Sequence, residues 1–392
     1  MRLVEMPVMN VRPGMFVAEL DRPWLETPFA VQGFVVRDDD DVLYMSRYVQ
    51  HVYVDVEYRG SDIFLHYDRK ALTARNDSLE LKADFDQGKV HFEAAADTLD
   101  RVFNNLSEHR NVDIEQVRDA VDPLIKGVFS NKNAMAALAR LKKKSTYRYS
   151  HGVSMAVWGA ILGQHLGLQQ AELETLVVGC AMCDVGMSQL PEALLNSPDK
   201  LDAENQKLVA AHPRIGAEMV QSFGEDNYEI LSIIENHHER HDGSGYPNGM
   251  SGASIPLPAR IAGLVDTYDA MISDRPYAPA RTSFEAILEI IDMSDSLFQK
   301  ALVEQFVQAI GMFPVGTLVE LNTGEVAIVI GQNETRRLRP EVLIVTAEDK
   351  KVLDQPRALD LAEVSSTGQG GHWISRELPR GTYGLNNEDY FI

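Results

Sequence analysis

The hydrophobic residues of this chain recur with two different spacings, and the change between them divides the sequence into parts of different secondary structure. From residue 150 to about residue 311, apolar positions follow the three-to-four-residue period of amphipathic helices almost without interruption. After this stretch, short runs rich in apolar and β-branched residues occupy 317–321 and 326–330, separated by the polar segment 322–325 (NTGE), a pattern typical of strands joined by a turn. The sequence therefore predicts a multi-domain α+β protein with an all-α centre.

The predicted domain boundaries follow the changes in this pattern. A β-rich N-terminal module covers residues 1–65, and a linker with a helical connection covers 66–133. The central helical bundle spans 134–311, a short C-terminal β-meander spans 312–364, and an irregular tail spans 365–392. Several units are expected in a chain of 392 residues, because one hydrophobic core rarely grows beyond about 250–300 residues.

Charge and composition narrow the classes of partner. The formal net charge is −21, so the overall field repels polymeric nucleic acids and anionic membrane surfaces. A small phosphorylated ligand remains compatible with this charge, because a cationic metal cluster can reverse the potential locally. The sequence contains neither a signal-peptide core nor a membrane-spanning apolar stretch, and we therefore expect a cytoplasmic protein.

Histidine and aspartate residues are concentrated in the helical centre. Candidate metal ligands occur at His151, Asp184, His212, His237, His238 and Asp266. A lone buried histidine is usually structural, whereas several such residues on different helices are the means by which a helical bundle builds a multinuclear metal site. The pattern therefore favours a metal centre inside the bundle.

One loop motif in the helical centre resembles a known family signature. Residues 237–247 read HHERHDGSGYP, and this segment resembles the signature of the HD-GYP family, a subgroup of the HD phosphohydrolase superfamily. Further family-like motifs occur at 190–195 (LPEALL), 212–216 (HPRIG), 255–261 (IPLPARI), 265–271 (VDTYDAM) and 273–277 (SDRPY). The resemblance covers about residues 145–310.

The resemblance implies an HD-type helical bundle that hydrolyses cyclic di-GMP or a related cyclic dinucleotide. It also implies two or more divalent metal ions, with iron, manganese or zinc as candidates. Carried over by motif, the expected metal ligands are His151, Cys183, Asp184, His212, His237, His238 and Asp266. Asp184 is also the expected catalytic residue, because it is suited to bridging two ions. The expected substrate-binding residues are Gly245, Tyr246, Pro247 and the phosphate-binding Arg275.

The chain departs from the family pattern at the HD motif. Cys183 stands in place of the defining histidine and Met187 in place of a lysine. Tyr147 stands where members with three metals have a glutamate, and Ala278 where a second basic residue often occurs. A thiolate can bind zinc or iron with altered geometry, whereas a methionine can neither hold a phosphate nor donate a proton. Together with Cys180, Cys183 also forms a C-A-M-C pair, which is weak evidence for a redox or metal site.

Two classes of function follow from these matches and departures. The first is a metal-dependent cyclic di-GMP phosphodiesterase in bacterial second-messenger signalling, impaired by the altered HD motif. The second is a catalytically degenerate HD-GYP domain that senses cyclic di-GMP or binds a protein, with a homodimer or a signalling-protein partner left open. A general HD nucleotide phosphohydrolase is disfavoured because the GYP loop is complete.

Overall fold

A computed structural model of the chain shows two antiparallel sheets separated by a set of packed helices. The residues that it describes are 3–22, 34–36, 42, 45–46, 48–56, 78–108, 114–141, 147–191, 194, 202–274, 279–333, 338–363 and 371–390. Strands occupy both ends of the described sequence and helices its centre. This architecture confirms the predicted multi-domain α+β class with a central all-α bundle.

The N-terminal sheet is small and has a core of its own. Its strands are β1 (Leu3–Pro7), β2 (Phe16–Leu20), β3 (Phe34–Val35) and β4 (His51–Asp55), in the order β1-β4-β2-β3. In β4 the buried residues are Val52 and Val54, as expected for a strand with one face on a core. The buried side chains of this module form a cluster separate from that of the helices.

Two long helices lead into the bundle. They are α1 (Ser78–Ser107) and α2 (Glu115–Arg140), which pack against each other. The backbone of α2 leaves the helical range at Asn131, where φ is -152° and ψ is 91°. The Asn131 side chain accepts a hydrogen bond from Ala134 N and donates one to Asp84 on α1. The residue therefore begins the second half of α2 and ties it to α1.

The bundle that follows positions the candidate ligands. Its helices are α3 (Tyr147–His165), α4 (Gln170–Met182), α5 (Ala203–Ala210), α6 (His212–Ser222), α7 (Tyr228–Asn236), α8 (Leu257–Met271), α9 (Ser283–Asp292) and α10 (Lys300–Ile310). α3 packs on α4, α8 and α10, and α4 packs on α7. Trp158, Leu162 and Leu173 are fully buried along these contacts. No helix in the described ranges is both long and apolar enough to cross a bilayer.

The C-terminal sheet shares its core with the helices. Its strands are β5 (Leu318–Leu321), β6 (Val326–Gly331), β7 (Glu341–Thr346), β8 (Val352–Asp360) and β9 (Ile374–Glu377), in the order β8-β7-β6-β5-β9. β6 is buried along its whole length, in one cluster with α10. The segment 365–392, predicted as an irregular tail, contains β9, which pairs with β5. β9 has four residues and Ile374 is its one apolar residue, so hydrophobic alternation could not reveal it.

Candidate functional site

Four side chains form a compact group where several bundle helices end or begin. We call Asp184, His212, His237 and His238 the four-residue cluster, because one ligand atom from each lies within 4.8 Å of the others. His212 Nε2 is 3.3 Å from Asp184 Oδ1 and 3.3 Å from His237 Nε2. Asp184 follows the end of α4, His212 begins α6, and the two adjacent histidines follow α7. This donor set of three imidazoles and one carboxylate suits a divalent transition metal.

Backbone carbonyl groups orient two of the imidazoles toward the centre of the cluster. His212 Nδ1 lies 2.7 Å from Val209 O, and His237 Nδ1 lies 2.8 Å from Ile234 O. A carbonyl oxygen can only accept a hydrogen bond, so each Nδ1 carries the proton and each Nε2 keeps a free lone pair. Burial, followed by repulsion from His212, lowers the pKa of His237 to about 4. His237 is therefore neutral at pH 7, and the residues present fit a metal ion.

Two glycines allow the elements of the site to approach one another closely. A Cβ atom at Gly186, which lies in the turn after Asp184, would come within 2.1 Å of His212 O. A Cβ atom at Gly263 on α8 would come within 2.3 Å of His237 O. Only glycine tolerates such contacts with backbone atoms, so these two positions bring the ligand-bearing elements together.

His151 and Asp266 lie directly beside the four-residue cluster. His151 Nε2 is 3.1 Å from Asp266 Oδ1 and 3.6 Å from Asp184 Oδ2. Asp266 Oδ2 is 3.8 Å from His238 Nδ1. One oxygen of Asp184 therefore faces His212 while the other faces His151, a position suited to a carboxylate shared between two ions.

A second aspartate of α8, Asp269, contacts the other ring nitrogen of His151, Nδ1. Asp269 Oδ2 lies 2.6 Å from His151 Nδ1, and Asp269 Oδ1 accepts a hydrogen bond from Trp158 Nε1 at 3.1 Å. Burial alone would lower the pKa of His151, but hydrogen bonds to Asp266 and Asp269 outweigh it and raise this pKa to about 9. Asp269 was not among the residues that the sequence pattern singled out. The three-residue spacing of Asp266 and Asp269, which places both on one helix face, is the signal that could have found it.

The GYP loop lies against the ring of His238. The Tyr246 ring stacks on the His238 ring, with centroids 4.7 Å apart and planes 28° apart. Tyr246 N donates a hydrogen bond to His238 O at 3.2 Å. A Cβ atom at Gly245 would lie 2.4 Å from Arg240 N, so the tight return of this loop requires glycine there. Pro247 follows Tyr246, whereas the predicted phosphate ligand Arg275 lies outside the described residues.

Comparison with known proteins identifies the family. Residues 128–302 match the HD domain, residues 3–117 a domain of unknown function (DUF3391), and residues 318–367 a KOW domain associated with the HD domain. A protein of Pseudomonas aeruginosa named a cyclic di-GMP phosphodiesterase is 29% identical over 378 residues, which are 93% of this chain and 90% of that protein. The helical domain of this chain belongs to the HD-GYP family.

Two further comparisons cover parts of the chain. The cyclic di-GMP phosphodiesterase response regulator RpfG of Xanthomonas campestris is 33% identical over 173 residues, which are 43% of this chain and 46% of that protein. This chain thus spans about half the length of that relative. A solved structure of the HDG"Y"P protein Bd1817 from Bdellovibrio bacteriovorus has 17% identity and a TM-score of 0.49, covering 78% of this chain and 98% of that one.

The altered HD motif of this HD-GYP protein lies on the buried side of the site. Cys183 is fully buried at the end of α4 and is not a member of the four-residue cluster. Burial, with further contributions from Cys180, Asp184 and Asp266, raises the pKa of the Cys183 thiol well above its ordinary value. Met187 lies in the turn that follows, half-buried. Neither residue adds positive charge to the site.

Proposed function

We propose that this HD-GYP protein is a metal-dependent phosphodiesterase that hydrolyses cyclic di-GMP. The observation that carries the proposal is the four-residue cluster, which lies against the GYP loop through the stacked rings of His238 and Tyr246. The Pseudomonas aeruginosa relative aligns with nearly the whole chain and is named a cyclic di-GMP phosphodiesterase, which supports cyclic di-GMP as the substrate.

We propose that the ligands hold two divalent ions, with iron, manganese or zinc as candidates. His212 and His237 would serve one ion and His151 and Asp266 the other, with Asp184 shared between them, because its two oxygens face the two sets. His238 is close to both sets. Cys183, which the sequence pattern places among the ligands, borders the shared carboxylate.

The residues of the site have distinct tasks in this proposal. Bound divalent ions supply activation of water and neutralisation of charge on the phosphate, which phosphodiester hydrolysis requires. Asp184 holds its position between the two sets of ligands, and Asp269 fixes the His151 ring so that Nε2, which must lose its proton to bind an ion, is directed at them. Tyr246 forms a wall of the site beside His238, and Arg275, assigned by motif, binds a phosphate of the substrate.

The altered HD motif lowers the turnover rate that we expect. Met187 cannot assist a leaving group by donating a proton, nor can it stabilise negative charge on the phosphate. The groups assigned to holding the substrate are present, whereas a group assigned to helping the chemistry is missing. We therefore expect slow turnover with retained binding of cyclic di-GMP.

The presence of Met187 where the family pattern has a lysine also favours a second candidate function, a sensor that binds cyclic di-GMP without hydrolysing it. In that case the metal ions and the GYP loop would serve recognition alone. A turnover assay combined with calorimetric titration of the metal-loaded protein distinguishes the two, since binding without product identifies a sensor. Absence of both binding and turnover at high micromolar cyclic dinucleotide would contradict both candidates.

Metal analysis tests the ligand assignment directly. Protein loaded with iron, manganese or zinc should contain at least two ions per chain, and His237→Ala should lose metal because it removes a buried ligand of the cluster. The matched control is His165→Ala, since His165 on α3 contacts Gln305 and lies outside the site. One ion or fewer in the loaded wild type would contradict the two-ion assignment.

A further inference from the structure

One buried carboxylate fastens the GYP loop to the end of α7. Glu239 follows the ligand His238 directly, and its side chain is buried. Its Oε1 accepts a hydrogen bond from Asn248 N at 2.6 Å, and its Oε2 accepts one from Met250 N at 2.8 Å. Both oxygens thus accept hydrogen bonds from backbone amides of the loop. Because of these bonds, Glu239 holds the loop and does not bind an ion.

The Asn248 side chain extends this attachment to two helices. Arg214 on α6 donates a hydrogen bond to Asn248 Oδ1 at 3.2 Å. Asn248 Nδ2 donates to Asn236 Oδ1 at 3.3 Å and to Glu235 Oε1 at 3.4 Å, both at the end of α7. The segment just after Tyr246 is therefore tied to the same two helices that carry His212 and His237.

The segment before Tyr246 is held by hydrogen bonds between neutral backbone groups. His241 N donates to Leu297 O at 2.9 Å, and Asp242 N donates to Ser296 O at 3.0 Å. Asp242 Oδ1 accepts a hydrogen bond from Ser244 N at 2.9 Å within the loop itself. Tyr246 N reaches His238 O at 3.2 Å, and the remaining contact with the site is the stacking of the two rings. The charge-assisted pair of hydrogen bonds at Glu239 is the strongest attachment of this loop to the bundle by the usual ranking of such bonds.

We propose that Glu239 is a positioning residue that holds loop residues 243–250 in place, so that Tyr246 covers one face of His238 and forms a wall of the ligand site. The identity of the ligand, cyclic di-GMP, rests on the proposed function. A loop that is fixed before the ligand arrives loses less conformational entropy on binding. Glu239 acts through Tyr246 and touches neither the ions nor the reacting phosphate.

The test is the Glu239→Gln variant of the full-length, metal-loaded protein. A glutamine side chain has one carbonyl oxygen, which can accept a hydrogen bond from one of the two backbone amides. Its NH₂ group would face the N–H of the other amide, and two donors cannot form a hydrogen bond. Hydrogen exchange measured by mass spectrometry should accelerate in peptides that cover residues 244–252 and stay unchanged in α6. The KM or Kd for cyclic di-GMP should rise about tenfold, whereas kcat and metal content should stay within about twofold of the wild type.

The matched control is Glu229→Gln, because Glu229 lies exposed in the first turn of α7, the helix that precedes Glu239, and away from the loop. It should leave exchange, metal content and affinity unchanged. If Glu239→Gln does not fold, the same measurements are made on Glu239→Asp. This variant keeps the negative charge, but its shorter side chain cannot reach both backbone amides.

The outcomes separate this proposal from the proposed function. Unchanged exchange in residues 244–252 overturns it, and so does faster exchange with an unchanged affinity for cyclic di-GMP. A fall in kcat or in metal content equal to the loss of affinity assigns Glu239 a general structural role and also overturns it. If the wild type neither binds nor hydrolyses cyclic di-GMP, the proposed function fails, and hydrogen exchange alone decides whether Glu239 holds the loop.

Discussion

At the residue scale, Asp269 determines how His151 can bind an ion. Its carboxylate contacts His151 Nδ1 and Trp158 Nε1, both inside the bundle. Asp269→Asn would keep an acceptor but remove the charge that fixes the imidazole and increases its basicity. We expect metal affinity to fall by about 10–100-fold, the usual effect of removing such a partner. Competition with a chromogenic chelator measures this, and Asp292→Asn at the exposed end of α9 is the control.

The raised pKa of His151 predicts how pH affects the metal-free protein. Hydrogen bonds to the two aspartates raise this pKa from 6.5 to about 9 against the opposing effect of burial. The resulting stabilisation is fully present below about pH 6.5 and is lost as the pH rises through about 9. Urea unfolding of chelator-treated protein should show this loss between about pH 7 and about pH 9.5. His151→Gln should remove that part of the pH dependence; an unchanged profile would contradict the assignment.

Cys183 offers a direct test of the altered HD motif. Its thiol is buried with a raised pKa, and an ion must displace the thiol proton before sulfur can coordinate. Cys183→His restores the residue type that the family pattern has at this position, and we expect it to increase turnover of cyclic di-GMP. If the thiolate is a ligand, Cys183→Ser should reduce zinc content. Unchanged metal content and rate in both variants would identify Cys183 as a packing residue.

At the scale of elements, hydrophobic periodicity predicted where helices occur better than it predicted the residues at which they begin. The sequence pattern predicted only a linker with a helical connection over residues 66–133, whereas α1 already begins at Ser78. Residues 78–89 contain several charged and polar residues and Gly88, so the apolar stripe is sparse there. The helix α2 crosses the predicted domain boundary at residue 134, and its backbone breaks at Asn131, close to that boundary.

The GYP loop and the two metal-ligand histidines that precede it show a different limit of sequence reasoning. Motif spacing placed His237 and His238 in the site, and on a regular helix these neighbours would point about 100° apart. In the structure both follow the end of α7 and join the same four-residue cluster, with ring centroids 4.1 Å apart. The spacing of Asp266 and Asp269 was a usable local signal, whereas the role of Glu239 depends on backbone amides of a loop that folds back on it, so no local pattern could reveal it.

At the scale of the whole molecule, the two terminal modules relate to the bundle differently. The N-terminal sheet has a hydrophobic cluster of its own, whereas the buried residues of the C-terminal sheet belong to the cluster of the helices. The stacked rings of Phe284 on α9 and Phe313 before β5, with centroids 5.0 Å apart, are part of this shared core. The C-terminal sheet is thus packed as a component of the helical domain.

A buried ion pair joins the last strand to the helices. Glu377 on β9 lies 3.3 Å from Arg140 Nη2 at the end of α2, and the two side chains are only 4% and 9% exposed. The Glu377 carboxylate also accepts hydrogen bonds from Ser283 N at 3.0 Å and Phe284 N at 2.8 Å at the start of α9. Arg140 further donates to Thr317 Oγ1, just before β5. One carboxylate thereby connects β9, α2 and α9.

Removal of this carboxylate should destabilise the whole helical domain. Glu377→Ala leaves the Arg140 charge buried without its acidic partner and leaves the first amides of α9 without an acceptor. We expect the free energy of unfolding to fall by about 3–5 kcal/mol, the usual cost of breaking a buried pair. The control is Asp122→Ala on α2, because Asp122 pairs with the exposed Lys126 one turn along the same helix, and its loss should cost about 1 kcal/mol or less. Urea unfolding of both variants measures the difference, and equal losses would show that Glu377 does not join the C-terminal sheet to the helices.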